Sequence, residues 1–272
     1  MDIPFFPNLS PEAMAFEREF RRHIEPLSAD SRLSLYEMVT NVHPELVATR
    51  FELEDRVVVA HQLGAALAFP RPLPLIKHAH LACGYETWLA RKYALPGFVE
   101  VEANDVVIDC GAYVGGFSLS AARVAAEVHL FEPDALNHQC VERNVSSNVR
   151  VNRMGLYDVD ETVILNVSES SVEHSILVPD DGEILRQEPV RVVRLDTYCS
   201  EHGIRALDFV KIEAEGVELE AVAGLGSVRP KKFAIDVSPE RDGESPAAEF
   251  TDLLIGRGYE VRQRAHVLFA RL

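Results

Sequence analysis

Beyond residue 100 the chain alternates short apolar runs with longer amphipathic stretches. "DVVIDC" gives way to "GGFSLSAARVAA", "EVHLFEP" to "DALNHQCVERNVSS", and "NVRVNRMGL" follows. Further on come "LDFVKIEAEG", "VELEAVAGLG", "KKFAIDVS", the helix-like "AAEFTDLLIGRG", "YEVRQR" and "HVLFARL". The apolar runs are short and rich in Val and Ile, which suits strands, whereas the stretches between them have helical spacing. Strand–helix alternation predicts parallel strands joined by crossover helices, an α/β doubly wound, mostly parallel sheet. The two closing runs lie too near each other for a crossover, so they predict an antiparallel hairpin on that sheet.

The first part of the chain has a different rhythm. Three prolines in "FPRPLPL", Phe69 to Leu75, deny the backbone a regular helix and mark a boundary. They divide a mainly helical N-terminal extension, 1–75, from the doubly wound domain, 76–272. "SPEAMAFEREFRRHIEPL" opens with Ser10 as a helix cap and Pro11 at the first helical position. "ELEDRVVVAHQLGAALAF" fits helix or strand, since "RVVVAH" reads equally as extended chain. Within the second domain, residues 157–194 interrupt the alternation: "ETVILNVS", "VEHSILV" and "VRVVRL" read as extra β structure, with "PDDGE" as the turn at the tip. This β-rich insertion is expected near the ligand end of the sheet.

Composition narrows the function. Hydrophobic residues make up 47%, enough for a sizeable core. Lysine and arginine number 27 against 43 acids, a formal charge of −16, which disfavours a nucleic-acid backbone as partner. No apolar run approaches the roughly 20 residues of a membrane helix. The start, "MDIPFFPNLSPEAM", lacks the basic and apolar stretches of a secretory signal. Cys83, Cys110, Cys140 and Cys199 are scattered without CxxC spacing, so neither zinc nor a disulfide framework is indicated, and a cytoplasmic location is expected. His78 and His80 in "KHAH" have nothing to complete a metal site. Tyr85 and Trp88, just before the first strand, read as packing residues.

In open α/β sheets the ligand sits beyond the carboxyl ends of the strands where strand order reverses. If "DVVIDC" is the first, central strand, the turn "DCGAYVGG" lies there, and its glycines let the backbone approach a ligand closely. Gly111, Gly115 and Gly116 do not give the G-x-G-x-x-G spacing of a dinucleotide site, nor does a Gly-Lys-Ser or Gly-Lys-Thr follow as in a phosphate loop. Asp109 beside the turn repels phosphate and suits a cationic ligand. Glu132 closes the second strand where an acid accepts hydrogen bonds from ribose hydroxyls, and it also reads as a capping acid before Pro133. Together these features point to a nucleoside without phosphates. S-adenosylmethionine, with its adenosine, amino-acid tail and sulfonium, fits them.

"VVIDCGAYVGGFSL", "VHLFEPD" and "LDTYCSEHGIRALDFVKIEAEGVELEAVAGL" resemble the FkbM family of S-adenosylmethionine-dependent methyltransferases, over about Tyr85 to Val237. The resemblance implies a class I methyltransferase (Rossmann-like) fold. It also implies methyl transfer to oxygens of sugars or polyketide-type natural products, with S-adenosylhomocysteine as product. Carried over residue by residue, it implies cofactor contacts from Asp109, Gly111, Gly115 and Glu132. Ala112 and Tyr113 within the turn, Pro133 after Glu132, and Asp158 toward the adenine amino group complete the expected cofactor set. Two positions depart from the family: Tyr113 stands for the usual Asn, and Glu213 for the usual Asp.

The block "FVKIEAEGVELE" is also informative by itself. A central parallel strand is buried on both faces and should be almost continuously apolar, yet Lys211 and Glu213 interrupt one face. Charges there are costly unless paired or used. They form a structural ion pair, or the strand end delivers Glu213 or Glu215 to orient or deprotonate a substrate hydroxyl, and the two readings are compatible. His174, in the insertion, is a further candidate base, though a histidine on a half-exposed strand is commonly a surface residue. The expected protein is thus a methyltransferase acting on a small-molecule or glycan acceptor. A nicotinamide-dependent oxidoreductase and a non-enzymatic cofactor-binding module are its rivals, and homo-oligomerisation is left open.

Overall fold

Residues 9–172, 174–177, 183–241 and 243–272 are described by the computed structural model of the chain. Its first half runs α1 (Pro11–Ile24), α2 (Ala29–Val42), β1 (Arg50–Leu53), β2 (Val57–Gln62), β3 (Ala65–Pro70), α3 (Leu75–Ala82), α4 (Tyr85–Lys92), β4 (Val106–Cys110), α5 (Gly116–Ala121), β5 (Glu127–Phe131) and α6 (Ala135–Asn144). There follow β6 (Val149–Asn152), β7 (Gly155–Leu156), β8 (Glu161–Ser168), β9 (Ile184–Val193), α7 (Leu195–His202), β10 (Phe209–Ile212), α8 (Glu218–Ala223), β11 (Lys232–Asp236), α9 (Ala247–Gly256), β12 (Glu260–Arg264) and β13 (Val267–Arg271).

The N-terminal helices form for local reasons. The Ser10 hydroxyl accepts from the Ala13 N–H, Pro11 opens α1, and Arg21, Arg22 and His23 close it where the helix dipole favours positive charge. From Arg50 the chain forms strands instead of the helix expected for most of residues 1–75. The ambiguous segment is a hairpin: β2 and β3 pair antiparallel across Leu63 and Gly64. Both turn residues have positive φ, +51° and +81°, the geometry that matches strand twist in a two-residue turn. The Val57–Val59 run is β-branched, which favours strand over helix once such a turn exists.

The main sheet has the order β12-β13-β11-β10-β4-β5-β6. Strands β11, β10, β4, β5 and β6 are parallel, and β13 pairs antiparallel with both β11 and β12, forming the C-terminal hairpin. Strand order reverses beside β4, between β5 on one side and β10 on the other. The insertion is a separate sheet, β7-β9-β8, with β8 and β9 antiparallel. Its expected tip turn, apart from Glu183, lies outside the described residues.

Both faces of the sheet are covered. Val107 faces a core that runs from Leu9, Tyr36 and Phe69 through Tyr85 to Phe117 and Phe209. Its neighbour Ile108 faces a second core with Phe131, Val210, Phe233 and Phe250. The first of these cores joins the N-terminal helices and hairpin to the central sheet. Tyr85 and Trp88 pack within it, and Trp88 stacks on His80 with ring centroids 3.7 Å apart. Among the described residues, no cluster of His, Cys, Asp and Glu could hold a metal ion. No described helix is long and apolar enough to cross a membrane.

Candidate functional site

Strand β4 ends at Cys110, and the chain turns at once. Gly111 has φ +70°, and a Cβ there would lie 1.6 Å from the carbonyl oxygen of Glu213, so only glycine lets the turn pass the end of β10. Gly115, at φ +82°, sits just before α5. Gly116 has no room for a side chain either, with the Tyr85 ring 2.3 Å from where its Cβ would be. Between them Tyr113 takes φ +54°, uncommon for a residue with a side chain, and its N–H donates to Glu132 Oε2 at 2.9 Å. The glycine turn and the end of β5 are therefore tied together.

Asp109 is wholly buried beneath this turn and is absent from the cleft wall. Its Oδ2 accepts from the Ser118 hydroxyl at 2.7 Å, and Lys211 Nζ stands 3.1 Å from Oδ1. Lys211 also donates to the carbonyl of Gly111 at 2.6 Å and lies 3.5 Å from Glu213. The expected direct contact of Asp109 with a ligand is thus corrected: the carboxylate fixes the lysine that fixes the turn.

Glu213 has a second partner, one that no sequence pattern announces. Lys92, from α4, reaches across to Glu213 Oε1 at 2.5 Å and to Asp236 Oδ2 at 2.8 Å. An alternating row, Asp236–Lys92–Glu213–Lys211–Asp109, so crosses the ends of β11, β10 and β4. Burial alone raises the Glu213 carboxyl, but the ammonium groups of Lys92 and Lys211 outweigh it and hold the group well below the usual carboxylate range. The expected pairing of Lys211 with Glu213 is one link in this longer chain.

Glu132 is buried at the end of β5 and faces the cleft. Besides the Tyr113 N–H it accepts from the Asp134 N–H, at 2.9 Å. Burial, reinforced by the charge of Asp134, pushes its carboxyl up to about 8. Asp134 itself caps α6, accepting from Leu136 and Asn137 N–H groups at 2.8 Å. Asn137 lines the cleft and donates to the Ser171 carbonyl, while its buried Oδ1 has no hydrogen-bond partner.

The insertion supplies the facing wall through Ser171, Val172, His174, Ser175 and Ile176. Tyr113 and Ser171 hydroxyls are 3.1 Å apart, and the Ser175 hydroxyl donates to the carbonyl of Glu215 at 2.6 Å. His174 Nδ1 accepts from the Ser168 N–H at 3.1 Å, which leaves the proton of a neutral ring on Nε2, 3.9 Å from Asp134. Burial lowers its imidazole pKa against the opposing pull of Asp134, so the ring is neutral near pH 7. Its one lone pair is occupied, which removes it as a base in this arrangement.

The cleft so formed encloses about 110 Å3. Of the expected residues it gathers Gly111, Tyr113, Glu132, Pro133, Glu213, Glu215 and His174. Ala112 and Gly115 shape the turn without lining it, Lys211 lies behind it, and Asp158 is elsewhere, its carbonyl accepting from Arg194. Lys77, Asn137, Ser171 and Ser175 line it but were not expected. Polar residues in a helix and a loop carry no periodic signal that would have singled them out. A larger cavity of about 350 Å3, between the ends of α8 and α9, holds Arg229, Arg257 and Tyr259 and shares no residue with the glycine turn.

A doubly wound, mostly parallel sheet with a glycine turn at its switch point and an acid at the next strand end defines a Rossmann-like α/β class of protein. The chain matches the methyltransferase FkbM domain over residues 109–261, more than half its length, and it belongs to that methyltransferase family. It is similar to the 31-O-demethyl-FK506 methyltransferase FkbM of Streptomyces tacrolimicus, 28% identical over 234 residues that cover 71% of this chain and 88% of that protein. It is also similar to the methyltransferase sdnD of Sordaria araneosa, 25% identical over 158 residues, 45% of this chain and 61% of the other. Among solved structures, the methyltransferase FkbM from Methylobacillus flagellatus aligns with a TM-score of 0.47 at 19% identity, over 73% of this chain and 52% of that one. This chain therefore spans about half the length of that protein.

Proposed function

We propose that the protein transfers a methyl group from S-adenosylmethionine to a hydroxyl oxygen of a sugar, glycan or other secondary metabolite, with S-adenosylhomocysteine as product. The observation that carries this reading is the placement of Glu132. An acid at the second strand end faces the cleft and is tied through Tyr113 to a turn that only glycine permits. The name of the relative, a methyltransferase of 31-O-demethyl-FK506, supports oxygen as the accepting atom.

The residues present suit the cofactor. Glu132 accepts from ribose hydroxyls, the partnerless Oδ1 of Asn137 is an acceptor for an amino group, and Leu156, Leu165 and Val217 give apolar surface for the adenine ring. When bound, S-adenosylmethionine supplies a methyl group activated by its sulfonium. The cleft opens to solvent, so a ligand of nucleoside size fills the enclosed 110 Å3 and extends beyond it.

Methyl transfer makes one O–C bond and breaks one S–C bond, so most of the rate comes from alignment. The hydroxyl proton must leave to a base within hydrogen-bond reach. Glu213, held strongly acidic by two lysines, is a weak base and acts as fixed negative charge. His174 has its lone pair occupied by Ser168. Glu215, which lines the cleft at φ +50° with its carbonyl fixed by Ser175, is the carboxylate we assign to the acceptor proton. The test is incubation with S-adenosylmethionine and a panel of hydroxylated sugars and macrolide-type metabolites, read by mass spectrometry. A methyl ether in the product supports the assignment. Methylation at nitrogen or carbon, with no ether formed across the panel, contradicts it.

A further inference from the structure

The chain leaves β10 through an uncommon bend. Glu215 has φ +50° and Gly216 φ +92°, two left-handed residues in succession, of which only the second is a glycine. A residue with a side chain keeps such a conformation only where its surroundings impose it. Here those surroundings are specific. Glu218, the first residue of α8, turns its side chain back over the bend, and its Oε1 accepts from the Ala214 N–H at 2.7 Å and the Gly216 N–H at 3.3 Å. These two N–H groups stand one on each side of Glu215 in the chain. From the insertion, the Ser175 hydroxyl donates to the Glu215 carbonyl at 2.6 Å. Gly216 is closely backed as well, since a Cβ there would lie 3.2 Å from the Glu240 carbonyl.

Glu218 is buried and absent from the cleft wall, whereas Glu215 lines it. A buried carboxylate is costly unless it is hydrogen-bonded, and this one meets that condition by bonding the bend. A base must lie within hydrogen-bond reach of the proton it takes, so a bend that relaxes carries the Glu215 carboxylate away from an acceptor hydroxyl.

From this arrangement we infer that Glu218 is a positioning residue: together with Ser175 it holds the backbone of Glu215 in the bend that aims the Glu215 carboxylate at the acceptor hydroxyl. The inference rests on the role proposed for Glu215 above. The experiment is a double-mutant cycle on the full chain, with S-adenosylmethionine and the panel member on which the wild type forms a methyl ether. Glu215→Gln should lower kcat at least about a hundredfold, the contribution of a general base. Glu218→Ala should lower kcat at least about tenfold, as a misplaced group does, and leave the KM for S-adenosylmethionine unchanged. Glu218→Gln keeps an oxygen for both N–H groups and should recover most of that loss. In the Glu215→Gln background Glu218→Ala should have no further effect, because residues that act as a unit are not additive. Ser175→Ala should behave in the same way, and it decides the matter if circular dichroism shows Glu218→Ala to be unfolded. A loss that persists in full in the Glu215→Gln background, full turnover by Glu218→Ala, or no recovery by Glu218→Gln overturns the positioning role and leaves methyl transfer standing. Full turnover by Glu215→Gln overturns the assignment of Glu215, and this inference with it. A wild type that forms no ether with any panel member overturns the reading beneath both.

Discussion

At the scale of single residues, the site depends on a backbone contact and a tuned acid. Gly111 passes the carbonyl of Glu213 with no room for a methyl group, so Gly111→Ala forces two strand ends apart. We expect a loss of at least about 2 kcal/mol in stability, from overpacking against main chain that has no rotamer to yield, read as a lowered urea midpoint. In the proposed role Glu132, its carboxyl pushed up by burial to about 8, is largely protonated at pH 6 and must ionise to accept from both ribose hydroxyls. Binding that requires the ionised form strengthens as pH rises toward that value and levels off above it. S-adenosylhomocysteine affinity should thus increase at least about tenfold from pH 6 to pH 8. In Glu132→Gln the affinity should be lower and the pH dependence gone, and a wild-type affinity flat with pH would contradict this role. Gly111 and Glu132 were legible in the sequence because a strand end followed by glycine, and an acid about one strand–helix unit later, are spaced by chain connectivity. Asp109 was legible as an important acid but not as a buried one. Whether a carboxylate faces the ligand or the lysine behind it depends on which side of the strand end it leaves, and pattern alone does not fix that at the last residue of a strand.

At the scale of elements, the ion row across β4, β10 and β11 is held by α4. Lys92 bridges Glu213 and Asp236 with a single ammonium. Lys92→Met leaves two carboxylates facing each other in a largely buried place and should cost about 2–4 kcal/mol at neutral pH. The sign of the pH dependence is diagnostic. In the wild type Glu213 is held below its unfolded pKa, so its contribution is present above that value and lost as acid protonates it. Without Lys92, Glu213 keeps only the more distant Lys211 and the buried Asp236 loses its ammonium, so the carboxylate pair takes up a proton more readily and stability is lost as pH rises. Thermal melts should therefore show the deficit of Lys92→Met shrinking from pH 7 toward pH 5. A deficit independent of pH would mean that the lysine acts by packing alone. The sequence exposed Lys211 and Glu213 as misfits within a buried strand, but Lys92 on α4, the further partner of Glu213, lies over a hundred residues earlier and reaches it only through tertiary packing. The parallel sheet and its closing hairpin were legible from alternation and connection length. The β2–β3 hairpin was not, since its apolar run fits both periods and Leu63, unlike Asn or Asp, is not a usual residue for a turn of positive φ.

At the scale of the molecule, the N-terminal segment and the sheet share a core. Leu9, Tyr36 and Phe69 belong to the same cluster as Val107 and Phe209, and Asn144 of α6 bonds both the N–H and the carbonyl of Ala68 in β3. We expect one cooperative unfolding transition for the whole chain, seen by coincident fluorescence and circular dichroism curves. A chain shortened to begin at Leu75 would expose that cluster and should lose the cooperative transition, and two separate transitions in the intact chain would contradict the shared core. The central claim is that the cleft is an S-adenosylmethionine site. Its most direct test is calorimetric titration of the purified protein with S-adenosylmethionine and S-adenosylhomocysteine, with NAD in a parallel cell. Micromolar binding of the first two with no heat from NAD is the predicted result. Binding of NAD, or of none of the three, would contradict the account.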